Sequence, residues 1–99
     1  MPEQPEPPPQ PLPINGVLDL HTFRPEDIGG LVRDYLAACR ERGILEVRII
    51  HGKGIGNLRR SVHALLPRLA DVASFADAST LYGGLGATIV RLRPKQQPS

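Results

Sequence analysis

Cysteine is nearly absent: the 99 residues contain one, Cys39, so no disulfide can form within the chain. A free cysteine at helical spacing among apolar neighbours packs as a small hydrophobe, and no partner that would make it a catalytic thiol can be placed. No run approaches the roughly 18 apolar residues of a membrane span. The N-terminus also lacks the basic start and apolar stretch of a secretion signal. The expectation is a cytoplasmic protein with no membrane partner. Two nucleotide-binding signatures are missing as well, the G-x-x-x-x-G-K-[ST] triphosphate loop and the dinucleotide G-x-G-x-x-G spacing. Finally, acids are absent from Val47 to Ala70, a segment with five basic residues (Arg48, Lys53, Arg59, Arg60, Arg68) and two histidines. Such a segment suits a polyanion, or forms a solvated helix face.

What is abundant is proline, and it sits at one end. Seven of the first thirteen residues are proline, which reads as an extended or disordered arm over residues 1–13. Residues 95–99 read as a polar, flexible tail. Residues 14–94 remain as the folding unit, modest in size but able to fold alone.

Within that unit, Val17 to His21 alternates as a strand does. Leu18 and Leu20 fall on one side, and Asp19 and His21 on the other. Pro25 suits a first helical turn, Glu26 and Asp27 complement its positive end, and Gly43 fits the C-terminal cap. Ile28, Leu31, Val32, Tyr35, Leu36 and Cys39 form one apolar stripe between them. Gly29 and Gly30 each weaken this helix by about 1 kcal/mol relative to alanine, and close approach of another backbone is the expected reason. Glu46 to His51 reads as a buried strand, so a right-handed parallel crossover follows. Leu58, Val62, Leu65, Leu66 and Leu69 mark a second helix, with Asn57 as N-cap and Pro67 kinking it or ending it early. Val72 to Ala78 and Ala87 to Arg93 read as the last two strands. The order βαβαββ predicts an α/β protein, specifically an α+β two-layer sandwich, with a four-stranded mixed sheet covered by helices on one side.

Three segments carry chemistry. At Asp19-Leu20-His21 an imidazole can act as general base or acid while the carboxylate fixes its tautomer; the alternative is a solvated polar pair. Gly52-Lys53-Gly54-Ile55-Gly56 leads a strand into a helix, where backbone amides, the helix dipole and Lys53 can hold a phosphate. The alternative there is a tight turn. Gly83-Gly84-Leu85-Gly86 would join this edge, or merely connect two strands. Arg59 and Arg60 lie off the apolar stripe of the second helix and extend the phosphate-binding edge. Asp19, His21, His51 and His63 show no recognised metal-ligand spacing.

In that order and spacing, Leu-Asp-Leu-His at 18–21, His-Gly-Lys-Gly-Ile-Gly at 51–56 followed by Leu58 and Arg59, and Gly-Gly-x-Gly-Ala-Thr-x-Val-x-Leu at 83–92 resemble the Smr (small MutS-related) domain. The resemblance runs from Val17 to Leu92. It implies a fold like the C-terminal domain of a bacterial translation initiation factor, with strand order 1-2-4-3 and strand 4 antiparallel, which brings the three motifs to one edge. Smr domains bind nucleic acid, and several are endonucleases that nick DNA or cleave RNA, including messenger RNA on stalled ribosomes. The resemblance implies that Asp19 and His21 are the catalytic D-x-H, and that His51, Gly52, Lys53 and Gly54 are the H-G-x-G loop. Thr22 stands where many members have glycine. No mismatch-repair, ribosome-binding or ATPase domain accompanies these motifs, so the chain reads as a stand-alone member.

The expected function is a nucleic-acid-binding Smr-type endonuclease that acts on RNA rather than DNA, with the ribosome among its partners. His21 is the general base or acid and Asp19 its orienter. His51 is the second proton-transfer group by position. Lys53 with the loop amides stabilises charge developing on phosphorus, and Gly52, Gly54, Gly56, Arg59, Arg60, Gly84 and Gly86 complete the phosphate-binding edge. No cofactor is expected, and metal participation stays open. The alternatives are a non-catalytic nucleic-acid-binding module and an interaction domain whose Pro-rich arm docks in an aromatic groove.

Overall fold

The structure, a computed structural model, describes residues 13–52, 56–78 and 86–95. Its elements are β1 (Val17–Asp19), α1 (Pro25–Glu41), β2 (Glu46–Ile50), α2 (Asn57–Leu65), a 3-10 turn (Leu66–Arg68), β3 (Val72–Asp77) and β4 (Ala87–Leu92). The four strands form one mixed sheet in the order β1-β2-β4-β3. β1 and β2 are parallel because α1 crosses between them. β4 runs antiparallel to both β2 and β3. The predicted βαβαββ order and mixed sheet are therefore present.

Strand alternation decides which face meets the helices. Leu18, Leu20, Val47, Ile49, Val90 and Leu92 are buried on one face, against Ile28, Val32, Tyr35, Leu36 and Cys39 of α1, Val62 of α2 and Leu66 beyond it. Cys39 is a core residue, and burial pushes its thiol pKa up. On the opposite face Val17, Asp19 and Arg91 are exposed, and Arg48, Ile50 and Ile89 are half-buried. The Tyr35 hydroxyl ties α1 to the edge strand, accepting from the Gly16 amide at 3.1 Å and donating to the Val17 carbonyl at 2.9 Å.

Three local expectations change. β1 ends at Asp19 rather than His21: the Leu20 amide still donates to the Ile50 carbonyl at 2.9 Å, and then a turn closes with Phe23 donating to Leu20 at 3.0 Å. His21 thus lies in the turn. Asn57 is not the N-cap of α2; Gly56 takes that position with no side-chain cap. The glycine pair in α1 has no close neighbour, since a Cβ built on Gly29 or Gly30 meets nothing within 4 Å. Backbone packing does not explain the pair, and nothing else in the structure does. Replacing the exposed Gly30 with alanine therefore removes only the glycine penalty, about 1 kcal/mol. Thermal unfolding of Gly30→Ala should shift upward by about 4–8 °C for a domain of this size.

Candidate functional site

The C-terminal ends of parallel strands β1 and β2, the start of β4 and the start of α2 all lie along one edge of the sheet. At the end of β1, Asp19 turns the chain onto itself. Its Oδ1 accepts the His21 backbone amide at 3.0 Å and the His21 Nδ1–H at 2.6 Å. The backbone contact is an Asx turn, a geometry that aspartate forms readily two residues ahead. These two bonds, the side-chain bond foremost, hold the Asp19 carboxyl below its ordinary pKa, so it stays ionised and fixes the imidazole. Because a carboxylate only accepts, Nδ1 carries a proton, and in the neutral imidazole Nε2 then holds the lone pair. The His21 side chain is 70% exposed, which leaves Nε2 open to an incoming ligand.

His51 has the opposite surroundings. It continues the buried alternation of Val47 and Ile49, so it points to the helix-covered face, while Asp19 belongs to the open one. It is 5% exposed. Its Nδ1 donates to the Gly52 carbonyl at 3.2 Å and its Nε2 lies 2.8 Å from the Thr88 hydroxyl. The same hydroxyl lies 2.8 Å from Nε2 of His63 on α2. A hydroxyl has one proton to give, and one consistent assignment follows with both rings neutral. Thr88 donates to His51, and His63 donates to Thr88. The His63 ring also packs edge-on against Phe75, with centroids 5.0 Å apart.

Asp77 completes the cluster. Its carboxylate sits 3.6 Å from His63 Nε2 and accepts both Nε and Nη2 of Arg59, at 2.8 and 2.6 Å. The Arg59 bonds hold Asp77 below the usual carboxylate range. Arg59, expected to face phosphate, is thus engaged by a carboxylate. Arg60 is exposed, and none of the ion pairs among the described residues involves it.

Glycine geometry frames the loop between β2 and α2. Gly52 and Gly56 adopt φ of +81° and +83°, the left-handed region that side chains disfavour. The Gly86 carbonyl accepts the amides of both His51 and Gly52, at 3.0 and 2.9 Å. The second and third motifs are therefore joined backbone to backbone and through His51 and Thr88. Lys53, Gly54 and Gly84 lie outside the described residues.

Sequence reasoning missed His63 and Asp77 as members of this edge, and gave Thr88 of the third motif no role of its own. Thr88 carried a signal, because it shares the buried register of Val90 and Leu92 and a buried hydroxyl needs a partner. Asp77 carried none, since its partners come from a helix 18 and 14 residues away in sequence.

The sequence model of the Smr domain matches residues 18–93. The chain belongs to the Smr domain family. The crystal structure of the Smr domain of Thermus thermophilus MutS2 superposes on this Smr domain with a TM-score of 0.76 at 38% identity, covering 81% of this chain and all of that one. The crystal structure of YdaL, a stand-alone small MutS-related protein from Escherichia coli, gives 0.71 at 32% identity, covering 79% of this chain and 64% of that one. In sequence, this Smr domain is 46% identical over 59 residues to Endonuclease MutS2 of Thermus thermophilus, and 45% identical over 76 residues to Endonuclease MutS2 of Halalkalibacterium halodurans. Those matches span 60% and 77% of this chain but 8% and 10% of the relatives' own lengths. Among the described residues, no helix is long and apolar enough to cross a membrane.

Burial of His63 has a consequence for pH. Desolvation first, and the Arg59 charge second, push its pKa below the ordinary histidine value. Arg59, Asp77, His51, Thr88 and Phe75 are the groups that face it, and only Asp77 favours its charged form. The unfolded chain then binds the proton more readily than the folded one. The stability this contributes is complete above about pH 6.5 and is lost as pH falls from there towards the lower folded value. Thermal unfolding of the wild type should drop across that window, and His63→Gln should flatten this part of the profile.

Proposed function

We propose that this Smr domain is an endonuclease that cleaves RNA in preference to DNA, with Asp19 and His21 as its proton-transfer pair. The observation that carries the reading is the exposed imidazole whose Nδ1–H is locked to an ionised carboxylate at 2.6 Å. Such a pair equips Nε2 to accept a proton from a neighbouring 2′-hydroxyl, which is present in RNA and missing from DNA. The 2′-oxygen then attacks phosphorus, the bond to the 5′-oxygen breaks, and that oxygen takes its proton from solvent at this open edge. Lys53 and the loop amides stabilise the added charge on phosphorus. His51, with both ring nitrogens engaged on the covered face, positions Gly52 and thereby the start of the loop. The MutS2 relatives are named endonucleases, which agrees with phosphodiester cleavage.

The test is incubation with end-labelled single-stranded, stem-loop and duplex RNA and DNA. Fragments from RNA alone support the reading. Binding without fragments favours a module that only binds, and fragments from DNA alone refute the RNA preference. Binding should weaken steeply with salt, because each arginine or lysine on the edge displaces counterions. Arg60→Glu should lower RNA affinity without unfolding the domain, as its side chain is exposed. Unchanged affinity at moderate salt would remove α2 from the binding surface.

A further inference from the structure

On the open face of the sheet, Val17, Arg48 and Ile89 stand directly opposite one another across β1, β2 and β4. With Gly16 and Glu46 they line a groove of about 250 Å³. Arg48 lines this groove, and its Nε is buried with no hydrogen-bond partner among the described residues, although buried donors are nearly always paired. Glu46 also lines the groove, 3.2 Å from Arg91. The next row on this face is Asp19, Ile50 and Ala87. Two residues of strand separate the rows, about 7 Å, which is the scale of one nucleotide along an extended strand.

We propose that this groove seats the unpaired base of a nucleotide flanking the scissile phosphate, its edge bonded to Arg48 and Glu46 and its ring against Val17 and Ile89. The proposal rests on reading Asp19 and His21 as the cleavage pair. A phosphate is the poorer occupant, because the Glu46 carboxylate repels it and two of the walls are aliphatic. A base suits both features. Its edge carries donors and acceptors together, so it can answer an orphaned N–H and a carboxylate at once. Its ring can lie against the aliphatic walls, as an unstacked base does between apolar side chains. The volume fits a single ring system and is below that of a drug-sized ligand site. Rotation about the terminal bonds of the arginine side chain brings Nε–H towards the occupant.

The groove predicts a position-specific dependence on one base. KM and kcat would be measured on a short single-stranded RNA with one cut, intact or abasic at each nucleotide beside the cut. The proteins are the wild type, Arg48→Met and Val17→Phe. Arg48→Met keeps most of the aliphatic stem and removes the donor. Val17→Phe fills the groove from a side chain that is already 41% exposed, and circular dichroism verifies that both variants fold.

Each variant should raise KM roughly ten- to a hundredfold while the pH dependence of kcat stays as in the wild type. An abasic site at one flanking position should do the same to the wild type and add little in the variants, as expected when both changes remove one interaction. Unchanged KM in both variants, or an abasic penalty that persists undiminished in both, overturns the proposal. If the wild type cuts no RNA, the cleavage reading fails separately. The groove is then decided by the methyl signals of Val17 and Ile89 during titration with the same RNA: shifts lost with the abasic strand support it, and no shifts overturn it.

Discussion

His21→Ala should cut RNA about 10²- to 10⁴-fold more slowly than the wild type while binding it with similar affinity. The magnitude is that of losing one positioned proton-transfer group. Affinity should survive because the basic residues on α2, Arg60 foremost, belong to a separate element from the turn that holds His21. The fold should survive too, since the side chain is exposed and, among the described residues, hydrogen-bonds only to Asp19. Asp19→Asn should fall between the two. It keeps a side-chain oxygen that can accept the Asx-turn amide, but it removes the charge that steadies an imidazolium. Equal cleavage by wild type and His21→Ala would mean that the activity comes from a contaminating nuclease, and the assignment of this pair would have no support.

A single 2′-deoxy substitution at the scissile nucleotide should abolish the cut altogether, the largest effect expected of any change on the substrate side. In the proposed route the 2′-oxygen is the nucleophile, so removing it leaves no attacking atom within the strand. The same route predicts cleavage in the presence of EDTA. A metal-activated water would behave in the opposite way on both counts, cutting the deoxy substrate and requiring added magnesium or manganese. The two arms use the same protein and differ only in one oxygen or one chelator, so an unfolded sample cannot mimic either result.

Much of the architecture was legible in the sequence because apolar spacing encodes it. The stripe from Ile28 to Cys39 marked the α1 face that packs on the sheet, and Pro67 marked where α2 gives way to a 3-10 turn. Asp19 and His21 were placed together from strand alternation, and they are in contact. The contact, however, is made by an Asx turn after the strand has ended. Strand alternation says nothing about such a turn.

The buried side of the edge was harder to read. His51 stood out as a histidine beside glycine and lysine, and its position in a motif suggested proton transfer. Its parity with Val47 and Ile49 carried the opposite message, that it faces the helices. Both facts were present in the same seven residues, and the structure separates them because, among the described residues, helices cover one side of the sheet. The pairing of Arg59 with Asp77 depends on how α2 lies over β3, a tertiary relation with no local signature. A basic residue in an acid-free segment can still find its acid elsewhere in the fold.

The central claim, that Asp19 and His21 drive attack by a 2′-hydroxyl, is tested most directly by the chemistry of the cut ends. Mass spectrometry of fragments made by the purified protein in EDTA should find a 2′,3′-cyclic phosphate on the upstream fragment and a 5′-hydroxyl on the downstream one. These ends should form about 10²- to 10⁴-fold more slowly in a parallel digest with His21→Ala. A 5′-phosphate paired with a 3′-hydroxyl, made by the wild type and lost in EDTA, would contradict the account and assign the cut to a metal-activated water.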